Sequence, residues 1–237
     1  MQHYFGKIVG HEAFLEEEDL RHLKVRRAEI GEPIEISTED GKLYQCEIAS
    51  LSPLKITVKE EVKNKREPDI KLTLAFSLLK SDHNELIIQK TTEIGTTSFA
   101  PFVSERSIVR PEGKEDNKLQ RMRKIAKEAA VQCRRNIVPA VLPYSSFEEI
   151  LRLEASRRYL AYEGLLGDSK SLFKELNDIK KGDDILVLIG PEGGFSDKEI
   201  LKAKAAGFEF VSLGRSMLRA ETAAIYATSL IVAKGEE

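Results

Sequence analysis

Residues 184–199 run Asp184-Ile185-Leu186-Val187-Leu188-Ile189-Gly190-Pro191-Glu192-Gly193-Gly194-Phe195-Ser196-Asp197-Lys198-Glu199, an apolar run that breaks on a glycine-rich turn and restarts as a helix. Five consecutive apolar residues, 185–189, predict a strand buried on both faces, the signature of a parallel sheet. Three glycines within five positions let the backbone turn sharply and approach a ligand with no Cβ in the way. Ser196 and Glu199 have the spacing of a capping box, which marks a helix start independently. A strand end, a tight turn and a helix N-terminus in succession form the place where open α/β sheets bind ligands. The alternative is a plain tight turn, for which the acidic Glu192 is not needed.

The same rhythm extends outward on both sides. Strand patterns recur at residues 70–76, 98–103, 158–162 and 208–213, separated by helical patterns at 119–135, 147–155, 170–179, 197–206 and 221–234. Asp82 and Gly95 are the expected start and stop of a further helix. This alternation predicts a largely parallel sheet covered by helices on both faces. Two more strand ends carry glycine: Val211-Ser212-Leu213-Gly214, followed by Arg215-Ser216-Met217-Leu218-Arg219-Ala220-Glu221-Thr222-Ala223, and Tyr162-Glu163-Gly164. Three such ends in one sheet predict a composite pocket. Arginines beside a glycine and ahead of a helix suit an anion or an RNA backbone.

Residues 1–69 differ in pattern. Apolar residues alternate in Ile34-Glu35-Ile36, in residues 43–48 and in Ile56-Thr57-Val58, with Asp40-Gly41 as a turn. This is the period of strands, so a small antiparallel barrel or sheet is expected, with residues 63–69 as a linker to a second domain at 70–237. The 237 residues carry 37 Lys+Arg and 39 Asp+Glu, a net charge of −2, unevenly divided: residues 1–70 stand at −4 and residues 71–237 at +2. Helical residues 118–135 hold Lys118, Arg121, Arg123, Lys124, Lys127, Arg134 and Arg135 against one acid, Glu128, with Leu119, Met122, Ile125, Ala126, Ala129 and Cys133 at core spacing. Such a face is either a solvated surface or a phosphate-binding stripe.

Several chemistries are disfavoured by what the sequence lacks. Two cysteines are too few for a disulfide framework or a cysteine zinc site, and His3, His11, His22 and His83 show no paired metal-ligand spacing, so no metal is expected. No phosphate loop, early dinucleotide fingerprint or nucleophile elbow appears. No apolar stretch approaches a membrane span and no leader follows Met1, so a cytoplasmic protein with no membrane partner is expected.

Taken together, Ile189-Gly190-Pro191-Glu192-Gly193-Gly194-Phe195-Ser196 and Leu213-Gly214 with Leu218-Arg219-Ala220-Glu221-Thr222-Ala223 resemble the signatures of the RsmE family, bacterial 16S rRNA (uracil-N3)-methyltransferases of the SPOUT superfamily. Two earlier segments resemble it too: Gln89-Lys90-Thr91-Thr92-Glu93-Ile94-Gly95 with Ser104-Glu105-Arg106-Ser107, and Gln132-Cys133-Arg134-Arg135-Asn136-Ile137-Val138-Pro139. The resemblance implies an α/β domain with a trefoil knot behind a PUA-like β-barrel, a homodimer, S-adenosylmethionine as cofactor, and 16S rRNA or the assembled small ribosomal subunit as partner. It maps cofactor binding onto Glu163, Gly164, Ile189, Gly190, Pro191, Glu192, Gly193, Gly194, Leu213, Gly214, Met217, Leu218, Arg219, Thr222 and Ala223. Methylating a protonated N3 calls for a base or a cation to stabilise the uracil anion; Arg219, Glu93, Glu221 and Arg106 are the catalytic candidates. Arg21, Lys24, Arg26 and Arg27 of the barrel, with Arg121, Lys124, Arg135 and Arg215, are the RNA-binding candidates. The sequence departs from many relatives at Ser216, where they carry a basic residue, and at Gln2 or His3, near which they carry an arginine. Two other readings stay open: a knotted methyltransferase acting on a different RNA nucleotide, and a non-catalytic RNA-binding assembly factor.

Overall fold

The structure, a computed structural model, describes residues 1–63, 66–111, 115–162 and 170–236. The chain divides into two units, Met1–Glu67 with Ala130–Val138, and Pro68–Ala129 with Pro139–Glu237.

The first unit is a closed five-stranded barrel. Its elements are β1 (Gln2–Val9), β2 (Glu12–Leu15), α1 (Glu17–Val25), β3 (Pro33–Ser37), β4 (Leu43–Leu51) and β5 (Leu54–Val62), with strand order β1-β2-β5-β4-β3. Parallel pairing of β1 with β3, Gln2 opposite Ile34 through Phe5 opposite Ser37, closes the ring and leaves no free edge. The alternating residues Tyr4, Ile34, Ile36, Cys46, Ile48 and Ile56 fill its interior. The Asp40-Gly41 turn forms as expected: Gly41 adopts φ 79 and donates its N–H to Thr38 O at 2.8 Å. Residues 130–138 bring Arg135 into this unit, where its guanidinium donates to Glu67 Oε2 from Nε at 3.0 Å, and Glu67 also accepts from the backbone of Asn136 at 2.7 Å.

The second unit is a wholly parallel sheet. Its elements are β6 (Lys71–Ser77), α2 (His83–Ile94), β7 (Ser98–Val103), α3 (Glu115–Gln132), β8 (Ala140–Val141), β9 (Ser145–Ser146), α4 (Phe147–Ile150), β10 (Arg157–Ala161), β11 (Lys170–Ser171), α5 (Leu172–Glu175), a 3-10 turn (Leu176–Asp178), β12 (Asp184–Ile189), α6 (Asp197–Ala205), β13 (Glu209–Ser212) and α7 (Ala220–Gly235). The strand order is β11-β13-β10-β12-β6-β7-β8, with β9 also on β7. The apolar run at 185–189 is therefore central, paired with β10 on one side and β6 on the other, and all five residues are buried.

Two helices expected from periodicity are shorter. Residues 147–155 form only the capped turn α4, because Leu151, Leu153 and Ala155 leave the helix to pack on the core, and Ser156 Oγ then clasps both N and O of Asp184 at the entrance to β10. Residues 170–179 split into an edge strand on β13, the turn α5 and the 3-10 turn; Leu172 and Leu176 are buried at helical spacing, but Lys170 and Ser171 pair with Val211 and Ser212. Core packing overrides the local period in the first place and sheet pairing in the second.

Candidate active site

Where β10, β12 and β13 end side by side, a cavity of about 500 Å3 opens. Four groups of residues build it. After β12, Ile189, Gly190, Pro191, Glu192, Gly194 and Phe195 form one wall. After β13, Ser212, Leu213 and Gly214 form a second, and Ser216, Met217, Leu218 and Arg219 continue it to the start of α7. Ala161 and Tyr162 close the β10 side, and His83, Ala220, Glu221 and Ala223 line the remainder.

Local chemistry explains why the turns hold these shapes. Gly194 sits at φ 66 and donates its N–H to Pro191 O at 2.9 Å, closing the turn. Gly190 is needed for space: a Cβ there would lie 2.9 Å from Phe195 Cε2. Gly214, at φ 134, occupies a conformation that favours glycine, and Ser212 Oγ bridges its N and O at 3.3 and 3.0 Å. The capping box at α6 is present in both directions, Glu199 N to Ser196 Oγ at 3.3 Å and Ser196 N to Glu199 Oε2 at 2.9 Å.

Glu199 does more than cap. Only 4% exposed, it also accepts from Ser104 Oγ at 3.1 Å and from Glu105 N at 2.9 Å, while Ser196 Oγ donates to Glu105 Oε2 at 2.6 Å. These bonds fasten the segment after β7 to the glycine turn. Ser107 accepts from Ser104 N at 2.9 Å and shares a 2.6 Å hydrogen bond with Ser77 at the end of β6. Arg106 thereby reaches Gly193 O from Nη1 at 3.2 Å. Two motifs ninety residues apart act as one support for the cavity wall.

Of the residues expected to hold a cofactor, Ile189, Gly190, Pro191, Glu192, Gly194, Leu213, Gly214, Met217, Leu218, Arg219 and Ala223 line the cavity. Gly193 stands behind the turn against Arg106, and Thr222 is exposed on α7 outside the lining. Glu163 and Gly164 lie outside the described residues. Among the catalytic candidates, Arg219 and Glu221 line the cavity; Arg106 supports it from behind, and Glu93 is exposed near the C-terminal end of α2, paired with Lys90 at 2.9 Å. Tyr162 and Ser212 belong to the strand ends that the sequence assigns to a composite pocket, whereas His83, Ala161, Phe195, Ser216 and Ala220 line it with no role assigned from sequence. His83 opens α2 just beyond the end of β6; its Nδ1 is buried without a hydrogen bond, 3.7 Å from Glu221 Oε2. The signal that could have found it is position, one more strand end beside those already chosen.

The RNA candidates separate. Arg21 and Lys24 are exposed on α1, and Arg27 is exposed just beyond it. Arg26 is committed within the barrel unit, to Tyr4 Oη at 3.0 Å and Glu32 Oε1 at 2.7 Å. Arg135 leaves the exposed basic face altogether: it is 4% exposed and bound to Glu67, because α3 ends at Gln132 and the chain turns inward. Arg121, Lys124 and Arg215 are exposed, the first joined to Glu85 at 2.8 Å and the second 3.8 Å from Glu128.

Residues 65–232 match the RNA methyltransferase domain family, and residues 15–61 match the RNA methyltransferase PUA domain. A ribosomal RNA small subunit methyltransferase E from Bacillus subtilis is 36% identical over 222 residues, covering 90% of this chain and 87% of the relative. The chain belongs to this methyltransferase family. Solved structures agree along the whole length. The ribosomal RNA small subunit methyltransferase E of Neisseria gonorrhoeae, determined bound to S-adenosylmethionine, superposes with a TM-score of 0.85 at 28% identity, covering 97% of this chain and 95% of that one. A crystal structure described as a hypothetical protein reaches 0.91 at 33% identity over 99% of both chains. Membership settles the enzyme class as methyltransferase and the barrel as a PUA-type domain. Among the described residues no cluster of His, Cys, Asp and Glu is arranged to hold a metal ion, and no helix is long and apolar enough to cross a membrane.

Proposed function

We propose that this protein transfers the methyl group of S-adenosylmethionine to N3 of a uridine in the 16S rRNA of the small ribosomal subunit, in the cytoplasm. The observation that carries the reading is the cavity at the ends of β10, β12 and β13, whose lining lies within the residues, 65–232, that match the RNA methyltransferase domain. The cavity suits the cofactor: glycine turns expose backbone polar groups at close range, and Leu213, Met217 and Leu218 offer apolar walls. When bound, S-adenosylmethionine supplies an electrophilic methyl carbon, so the chain needs no covalent nucleophile.

The chain's own tasks are alignment and proton handling. Arg219, exposed at the N-cap of α7 and lining the cavity, is placed to stabilise negative charge spreading onto the uracil oxygens. His83 and Glu221, 3.7 Å apart and both lining the cavity, are the pair suited to take the N3 proton. Arg21, Lys24 and Arg27 on the barrel unit supply cations for docking RNA. The reading includes the knotted backbone and the homodimer that the resemblance implies; Met217, at 81% exposure just ahead of α7, and Tyr226, at 42% on it, support a partner face. Calorimetric titration with S-adenosylmethionine tests the cofactor: saturable binding is expected, and no binding overturns catalysis in favour of RNA binding alone.

A further inference from the structure

The segment joining β6 to α2 has two faces. On one, Lys80 N donates to Glu192 Oε1 at 3.3 Å and His83 lines the cofactor cavity. On the other lies a second hollow of about 250 Å3. Leu79 and Met122, both buried, and Tyr144 and Val109, both half-buried, contribute apolar surface to it, while Lys118 and Arg121 are exposed at its edge. The partition is held firmly: Asn84, 8% exposed, clasps Leu79 with both ends of its amide, accepting from Leu79 N at 2.9 Å and donating to Leu79 O at 2.8 Å. Arg121 is braced by Glu85, Nη2 to Oε2 at 2.8 Å, while its side chain stays 69% exposed.

We propose that this hollow receives a nucleotide flanking the target uridine, its base against Tyr144 and Met122 and its phosphate at Lys118 and Arg121. The proposal rests on the rRNA methyltransferase reading above and adds a specificity subsite to it. Size favours one base over a second cofactor, since 250 Å3 falls below the range of about 300–1,000 Å3 typical of whole small-molecule sites. An aromatic ring and a thioether beside two cations match how proteins hold unstacked RNA bases: the π-face is stacked and the backbone is neutralised nearby. A shared wall with the cofactor cavity places a neighbouring nucleotide within reach of the same strand. Glu85 offsets one of the two cations, so recognition here depends on contact as well as charge, in keeping with a chain whose net charge is −2.

The test compares wild type with Lys118→Ala, Tyr144→Leu and the pocket-filling Val109→Trp. Equilibrium binding to small ribosomal subunits is measured without cofactor, S-adenosylmethionine affinity by calorimetry, and steady-state methylation of the subunits alongside. Expected is a rise of about tenfold in the subunit Kd and KM for Tyr144→Leu and Val109→Trp, a smaller rise with a shallower salt dependence for Lys118→Ala, and cofactor affinity within about twofold of wild type. If Val109→Trp fails to fold by circular dichroism, the other two variants decide. Unchanged subunit binding in folded Lys118→Ala and Tyr144→Leu, with wild type still methylating, overturns the subsite and leaves the methyltransferase reading intact. Loss of cofactor affinity in parallel with subunit binding also overturns it, since the hollow would then merely brace the cavity. A wild-type protein that methylates no small-subunit rRNA removes both.

Discussion

Glu199→Gln tests how the cavity is held. The wild-type carboxylate accepts three hydrogen bonds, from Glu105 N at Oε1 and from Ser104 Oγ and Ser196 N at Oε2, at 4% exposure. Glutamine keeps the shape but only one acceptor oxygen. If that oxygen serves Ser104 and Ser196, the new amide meets the Glu105 N–H donor to donor, and leaving one buried N–H unpaired costs about 1–3 kcal/mol. The two surviving bonds lose their ionic character and about half their strength. A total near 2–3 kcal/mol corresponds to a fall in the melting midpoint of roughly 5–10 °C for a chain of this size. Glu199 does not line the cavity, yet the bond lost is the one next to Arg106, which holds Gly193 O at 3.2 Å, so S-adenosylmethionine affinity should fall by roughly fivefold, about 1 kcal/mol. Differential scanning fluorimetry and calorimetry read the two effects. A midpoint within about 1 °C of wild type together with unchanged affinity would refute the account of the two motifs as one support.

Other perturbations follow from the same geometry. Gly190→Ala places a Cβ 2.9 Å from Phe195, which is packed against Phe102 and Phe147; an overpacking cost of about 1–3 kcal/mol and a clear loss of cofactor affinity are expected by thermal melting and calorimetry, and neither should change if the glycine serves only the turn. Arg219→Ala should lower methyl-transfer turnover by about 100-fold while cofactor affinity changes little; equal losses in both would make Arg219 a cofactor ligand only. In the barrel unit, burial pushes the His3 pKa below its ordinary 6.5, and hydrogen bonds from Arg66 hold Glu35 below its ordinary 4.5. Both groups bind protons more readily when unfolded, so their stabilisation is complete above pH 6.5 and is lost on acidification, through His3 first and through Glu35 below 4.5. His3→Asn should flatten the melting midpoint between those two values, and a slope equal to wild type there would refute the assignment.

The strand at 185–189 was legible because all five residues are apolar, and all five are buried; the turn after it was legible because glycine is required there, for space at Gly190 and for backbone conformation at Gly194. The hairpin at Asp40-Gly41 was legible for the same reason. β1 and β2 were not: β1 alternates only partly, because Tyr4 faces the barrel core while the adjacent His3, on the opposite face, is also buried, 3.7 Å from Glu35. Arg135 was misleading because its neighbours on α3 are exposed, and only Glu67, far away in sequence, shows that it turns inward. His83 was passed over because a lone histidine carries no pattern; the cavity draws its meaning from Glu221, which lies on α7. Local signals revealed the elements, and the site depended on which strand ends the sheet sets side by side.

The central claim is tested most directly by incubating the purified protein with unmethylated small ribosomal subunits and S-adenosylmethionine bearing a labelled methyl group, then digesting the 16S rRNA to nucleosides for mass spectrometry. The account predicts that the label appears as 3-methyluridine at a single position. A label on a ribose oxygen or on another base would contradict it.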